Sequence, residues 1–266
     1  MPASTIDVGG RFEIAQTKSR PRLDARPLKK RIGLVILATD HTTEVDFQRL
    51  VAGDGIGIYV NRIPYANPTT PDNLLKMQPV LTEGASLILP GEPLDVVMYS
   101  CTSASVVIGD ERIEDAIHEA KPGATVVTPT AASVKALRTF NASRISVLTP
   151  YTVETSYPMA QYFSRLGFEI DRFTCLGFDD DREMARIAPE ELVRLAVEAM
   201  APQSEALFIS CTALRAAGAA ATIEAMINRP VVTSNLATAW ACLRHCGYDF
   251  ARPEFGRLMT LDFQNR

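Results

Sequence analysis

One short sequence occurs twice in this chain. Ser100-Cys101-Thr102 and Ser210-Cys211-Thr212 lie 110 residues apart, each after an apolar run and each before small residues. Two further pairs keep the same order. Thr125–Ser133 answers Val231–Thr238, and Ile32–Thr39 answers Ile145–Pro150, at offsets near 105 and 113 residues. Three matched pairs at nearly one offset require two similar structural units in one chain.

The apolar runs set the class of those units. Residues 32–37, 57–60, 96–99, 124–127, 145–148, 169–175, 206–209 and 230–232 are short and apolar. Helix-length amphipathic segments at 43–52, 110–120, 131–140, 153–166, 189–201, 214–227 and 235–246 separate them. Strands alternating with helices predict βαβ units and parallel sheets. The expected fold is α/β: two pseudo-symmetric lobes, each a four-stranded parallel sheet flanked by helices, with the site in the cleft between them. The lobe of Cys101 takes residues 31–130 plus 235–266, and the lobe of Cys211 takes 131–234. Residues 1–30, basic and broken by Pro21 and Pro27, read as a solvated arm on the surface or on a partner subunit. The proline-rich segment 61–90 reads as a surface excursion, partly helical, of the kind that forms lids or binding loops.

Composition removes several function classes. There are 27 basic and 31 acidic residues, a net charge of −4, which argues against a nucleic-acid surface. No apolar run reaches the 18 residues that suggest a transmembrane helix. Five cysteines are an odd set for a disulfide framework, and without a secretory leader they read as cytoplasmic free thiols. With three histidines and neither a Cys-x-x-Cys nor a His-Glu-x-x-His pattern, no metal site is expected. No dinucleotide fingerprint or P-loop lysine is present, so no cofactor is expected either.

Ligands of parallel sheets bind beyond the carboxyl ends of the strands. Both Ser-Cys-Thr turns sit there, so facing lobes bring Cys101 and Cys211 into one cleft. The residues after each cysteine are expected to begin a helix, whose N–H groups attract anions and lower a thiol pKa. Cys175, Cys242 and Cys246 lack this setting and read as packing residues.

Paired Cys-Thr-small turns across two α/β lobes resemble the aspartate/glutamate racemase superfamily. The closest likeness is to its maleate cis-trans isomerase and arylmalonate decarboxylase branch, over residues 31–250. Cys101-Thr102-Ser103 and Cys211-Thr212-Ala213 resemble the two catalytic turns. Thr149-Pro150-Tyr151 resembles the segment whose tyrosine helps to bind the substrate carboxylate. Leu176-Gly177-Phe178-Asp179-Asp180-Asp181 stands where that branch has a Leu-Gly-x-x-Asp-Asn turn, and Asp40-His41-Thr42-Thr43-Glu44 where it has Ser-Asn-Thr-Thr. His41 and Asp181 thus replace asparagines that contact carboxylate in maleate isomerases. The Asp40–Glu44 version is more similar to the branch associated with ectoine utilisation, and an acidic pocket suits a substrate with an amine as well as a carboxylate.

The resemblance implies cofactor-independent racemisation or isomerisation of a small carboxylate or amino acid, with Cys101 as nucleophile or base and Cys211 as acid or base. An arylmalonate-type decarboxylase is the alternative, although arylmalonate enzymes lack the N-lobe cysteine that Cys101 supplies here. A non-catalytic carboxylate-binding protein of ectoine catabolism is a second alternative. Oxyanion donors are expected from the backbone of Thr102, Ser103, Thr212 and Ala213, with the hydroxyls of Ser103 and Tyr151. His41 either serves a thiol or carboxylate, or caps the first helix. Asp181 is either a pocket acid or part of a polar loop with a helix cap. A homo-oligomer is possible; membrane and nucleic-acid partners are not expected.

Overall fold

The computed structural model describes residues 5–7, 13–51, 53, 55–249 and 251–263. Strands β1 (Thr5–Asp7) and β2 (Glu13–Ala15) form a small antiparallel pair outside the main sheets. The rest of the expected arm through residue 25 is exposed where side chains are described, and parts of it lie outside the described residues.

The first large unit contains β3 (Lys30–Leu37), α1 (Thr43–Leu50), β4 (Ile56–Ile63), α2 (Pro71–Leu75), α3 (Leu81–Ser86), β5 (Val96–Tyr99), α4 (Thr102–Ile108), α5 (Asp110–Ala120), β6 (Thr125–Val127) and α6 (Pro129–Thr139). The second contains β7 (Arg144–Tyr151), α7 (Val153–Arg165), β8 (Glu169–Phe178), α8 (Asp181–Met184), α9 (Pro189–Ala199), β9 (Ala206–Ile209), α10 (Ala220–Ile227), β10 (Val231–Thr233) and α11 (Ser234–His245). The sheets run β4-β3-β5-β6 and β8-β7-β9-β10, parallel throughout. In both, the second strand of the unit lies outermost beside the first, so the sequence repeat is a repeat of topology.

Burial follows the strand period. Ile32, Leu34 and Ile36 face a core cluster that continues into the second unit, whereas Val35 and Leu37 face a separate cluster under α2, α3 and α5. Segment 61–90 is therefore not the surface excursion its prolines suggested. Leu74, Met77, Leu81, Ala85 and Ile88 are buried and roof the outer face of the first sheet. Only the stretch 64–70 leaves the unit, and it reaches the second: Thr69 N–H donates to the Asp179 carbonyl at 2.6 Å, and the Thr155 hydroxyl to the Thr69 carbonyl at 2.7 Å.

The units also exchange helices. The helix after the last strand of the second sheet, α11, packs on β5 and β6 of the first and on α1. Its counterpart α6 packs on β10 of the second sheet, and the two helices pack on each other.

Candidate active site

Both cysteines stand at strand ends, as the repeat requires, but their backbones differ. Cys101 is extended (φ −158°) and is the N-cap of α4. Its sulfur lies 3.7 Å from the Ser103 hydroxyl and receives the Ala104 N–H. Cys211 has φ +103°, a region L-residues rarely occupy. No helix starts there: a turn follows, then a short 3-10 segment, and α10 begins only at Ala220. The expected second helix N-terminus is thus corrected to an open turn whose Ala213 and Leu214 N–H groups reach the sulfur. The reason is visible in the carbonyls that would open such a helix. Thr212 O accepts from Asn235 Nδ2 at 2.9 Å, and Ala213 O from the Thr42 hydroxyl at 2.7 Å.

Side chains link the two turns. The Thr102 hydroxyl donates to Ser234 Oγ at 2.8 Å, and Ser234 Oγ accepts the Cys211 N–H at 3.1 Å. The Thr212 hydroxyl donates to the Ser100 carbonyl at 3.4 Å. Tyr151, buried at the end of β7, places its hydroxyl beside both Cys211 and Ser103. Cys101, Ser103, Tyr151 and Cys211 therefore form one polar chain from sulfur to sulfur.

Burial governs the electrostatics of this chain. It pushes the Cys101 thiol up to about 11 and the Cys211 thiol up to about 12, against the pull of their N–H and hydroxyl donors. The lowered thiol pKa expected from helix N-termini is overturned, because desolvation of the anion outweighs those dipoles. The Tyr151 hydroxyl is likewise raised, first by burial and then by the two cysteines.

Asp181 is buried on the same side, accepting from the Thr39 hydroxyl and from Asn67 Nδ2 at 3.1 Å, and its charge acts on Cys101. It is the first residue of α8; the N-cap, accepting from Arg182 N–H, is its neighbour Asp180. His41 is not brought to the thiols. It is exposed and lines an outer groove of about 580 Å³ with Val45, Arg49 and Glu190, and neither cysteine lines that groove. Nor does it cap α1: the Asp40 carboxylate accepts the Thr42 and Thr43 N–H groups, both at 2.8 Å. Among the described residues, no cluster of three or more histidine, cysteine or acidic side chains is placed to hold a metal ion, and no helix is long and apolar enough to cross a membrane.

The family model for arylmalonate decarboxylase matches residues 85–259, more than half of the chain. The chain belongs to the arylmalonate decarboxylase family. Its relatives include the maleate isomerase of Nocardia farcinica, 28% identical over 244 residues, 88% of this chain and 96% of the relative. The arylmalonate decarboxylase of Bordetella bronchiseptica is 30% identical over 139 residues, 51% of this chain and 58% of the relative. Among solved structures, a cysteine-to-serine mutant of the Nocardia farcinica maleate cis-trans isomerase, with a covalently bound succinylcysteine intermediate, superposes with a TM-score of 0.80. It is 25% identical, and the match covers 87% of this chain and 98% of that one. The branch and the two-sheet fold read from the sequence are both borne out, as is an enzyme of the isomerase and decarboxylase type.

Three neighbours of the two cysteine turns were not singled out in the sequence. Tyr99 lies under Cys101, and Tyr65 faces both cysteines and Asp181 from the 64–70 stretch, its hydroxyl 2.6 Å from Thr69 Oγ1. Asn67 holds both Asp180 and Asp181. Tyr99 had a readable signal, since a residue two before Cys101 shares its side of the strand. Tyr65 and Asn67 had none, because only the crossing of 64–70 between units places them.

Proposed function

We propose that this chain is a racemase or cis-trans isomerase of a small carboxylate, working with two opposed cysteines and no cofactor. The observation that carries this reading is the polar chain from Cys101 through Ser103 and Tyr151 to Cys211, buried between two lobes. We assign residues 31–130 with 235–266 to the Cys101 lobe, and 131–234 to the Cys211 lobe. Five free thiols fit a reducing, cytoplasmic setting.

Cys101 is the nucleophile or base, as the resemblance implies; the N-terminus of α4 offsets part of the burial that holds its thiol protonated. Cys211 is the acid: burial keeps it protonated, and Tyr151 is placed to stabilise its anion once the proton has left. In isomerisation, the Cys101 thiolate adds to one alkene carbon and the electron pair moves onto the neighbouring carbon and its carboxylate. Cys211 protonates that carbon, the single bond rotates, and the reverse steps return the proton to Cys211 and expel the thiolate. In racemisation, one thiolate takes the α-proton and the opposite thiol delivers one to the other face. The enediolate of either route would be held by the N–H groups of Thr102, Ser103, Thr212 and Ala213 and the hydroxyls of Ser103 and Tyr151.

The substrate class follows from charge. Asp181 and Asp40 both act on Cys101. An ammonium group on the substrate offsets that negative charge, as the resemblance to the ectoine-utilisation branch also suggests. Amine-bearing carboxylates therefore stand beside maleate as candidates.

The test is proton NMR in deuterium oxide with maleate, a panel of amino acids and an arylmalonate. Fumarate from maleate, or deuterium at an α-carbon, with loss of either in both Cys101→Ser and Cys211→Ser, is the expected result. Decarboxylation of the arylmalonate alone would move the chain to the other activity of the family. Turnover that survives both substitutions would refute the two-cysteine reading.

A further inference from the structure

The Cys211 turn is held by side chains, and one of them leads to a buried acid outside the polar chain described above. Asn235, at the start of α11, donates Nδ2 both to the Thr212 carbonyl at 2.9 Å and to Asp46 Oδ2 at 2.8 Å. Asp46 lies on α1 and Thr212 in the second unit, so this contact spans the two. The other amide atom is equally informative. Asn235 Oδ1 is buried and has no hydrogen-bond partner. The orientation of the amide is therefore set by its NH2 side alone.

An ionised Asp46 only accepts, which fixes the NH2 group between carboxylate and carbonyl. A protonated Asp46 can donate, and the buried acceptor on its hydrogen-bond partner that lacks a donor is Asn235 Oδ1. Meeting it turns the amide over and takes Nδ2 off the Thr212 carbonyl. That carbonyl belongs to the residue after Cys211, whose positive φ persists only while its surroundings hold it.

We propose that Asp46 is a positioning residue for Cys211: ionised, it locks the Asn235 amide onto the Thr212 carbonyl; protonated, it releases the Cys211 turn. The consequence for turnover rests on the two-cysteine reading; the structural switch does not. Other charges face Asp46. Arg49 on α1 favours its anion and Asp40, before α1, opposes it. His41, Glu190 and Arg215 line the same outer groove. Burial prevails over these and pushes Asp46 up to about 6, so the switch operates close to neutral pH.

The experiment follows the backbone amides of Cys211, Thr212 and Ala213 by NMR from pH 4.5 to 8, on the full chain without ligand. In wild type they should shift together with a midpoint near pH 6. In Asp46→Asn the transition should vanish. In Asn235→Ala the Asp46 carboxyl should still titrate while the Cys211 amides no longer follow it, which covers the case of an Asp46 variant that fails to fold. Where turnover is found, kcat of wild type should fall about tenfold from pH 7 to pH 5, as for one proton, and the Asp46→Asn profile should be flat there. Amides that do not move near pH 6, or that still move in Asp46→Asn, overturn the proposal. Turnover that survives Cys211→Ser overturns the two-cysteine reading and leaves the amide titration to be judged by itself.

Discussion

The two cysteines are equivalent in sequence and not in conformation, and the difference is measurable. Holding a non-glycine residue at φ +103° costs on the order of 1–3 kcal/mol. Glycine removes that strain but loses about 0.5–1 kcal/mol of unfolded-chain entropy relative to alanine. Cys211→Gly should therefore melt above Cys211→Ala by about 1 kcal/mol, or about 2–4 °C, in calorimetry. Equal melting temperatures would mean that the turn is not strained. Asp46 makes a second residue-scale prediction with a definite sign. Its folded pKa of about 6 lies above the ordinary carboxylate value of 3.8, so the folded state binds the proton more tightly. Its contribution is most favourable below about pH 4 and is lost as the pH rises through 6. Above that the wild type carries a penalty of about 3 kcal/mol. Asp46→Asn should be more stable than wild type in urea at pH 8 and should keep only about a third of that advantage at pH 4.5. A gap that widens toward acid would contradict the assigned direction.

At the scale of elements, the sequence was legible where local pattern decides. The strands Val96–Tyr99 and Ala206–Ile209 and the helix Asp110–Ala120 have the bounds their apolar periodicity predicts. The run 212–219 misleads because it is rich in helix formers, and its first carbonyls are instead taken by Asn235 and Thr42 from distant segments. Segment 61–90 misleads in the other direction, since its prolines mask the spacing of Leu74, Met77, Leu81, Ala85 and Ile88 that buries it. His41 misled for a local reason: the turn bends so that Asp40, and not its neighbour, takes the Thr42 and Thr43 N–H groups and is buried. The closeness of α3 to its sheet gives a test. A Cβ on Gly84 would lie 2.4 Å from Cγ2 of Ile63, a stiff β-branched side chain. Gly84→Ala gains about 1 kcal/mol of helix propensity but overpacks by about 1–3 kcal/mol. Overpacking should win, lowering the midpoint of urea unfolding. A raised midpoint would show that α3 shifts freely on β4.

At the scale of the whole molecule, the architecture limits how the site opens. One core cluster runs through both units, and α6 and α11 each pack on the other unit's sheet. Parting the lobes would expose that core, whereas lifting the 64–70 stretch breaks a few polar ties. Cys101 and Cys211 are only 5% and 6% exposed, and Cys175 is half-buried, so iodoacetamide should label Cys175 first. Thr155→Val removes the hydroxyl that holds the Thr69 carbonyl and keeps the shape of the side chain. One hydrogen bond contributes about 1 kcal/mol, so the open population should rise about fivefold. Labelling of Cys101 and Cys211 at pH 8, followed by mass spectrometry, should accelerate by that factor. Cys175 serves as the internal standard, because it lies on β8 and gains nothing from the loss of this tie. If all three cysteines accelerate together, the substitution has loosened the fold as a whole. If none does, access to the thiols runs by another route. Acceleration confined to the paired cysteines is the outcome that a hinged 64–70 stretch over a fixed two-lobed core requires.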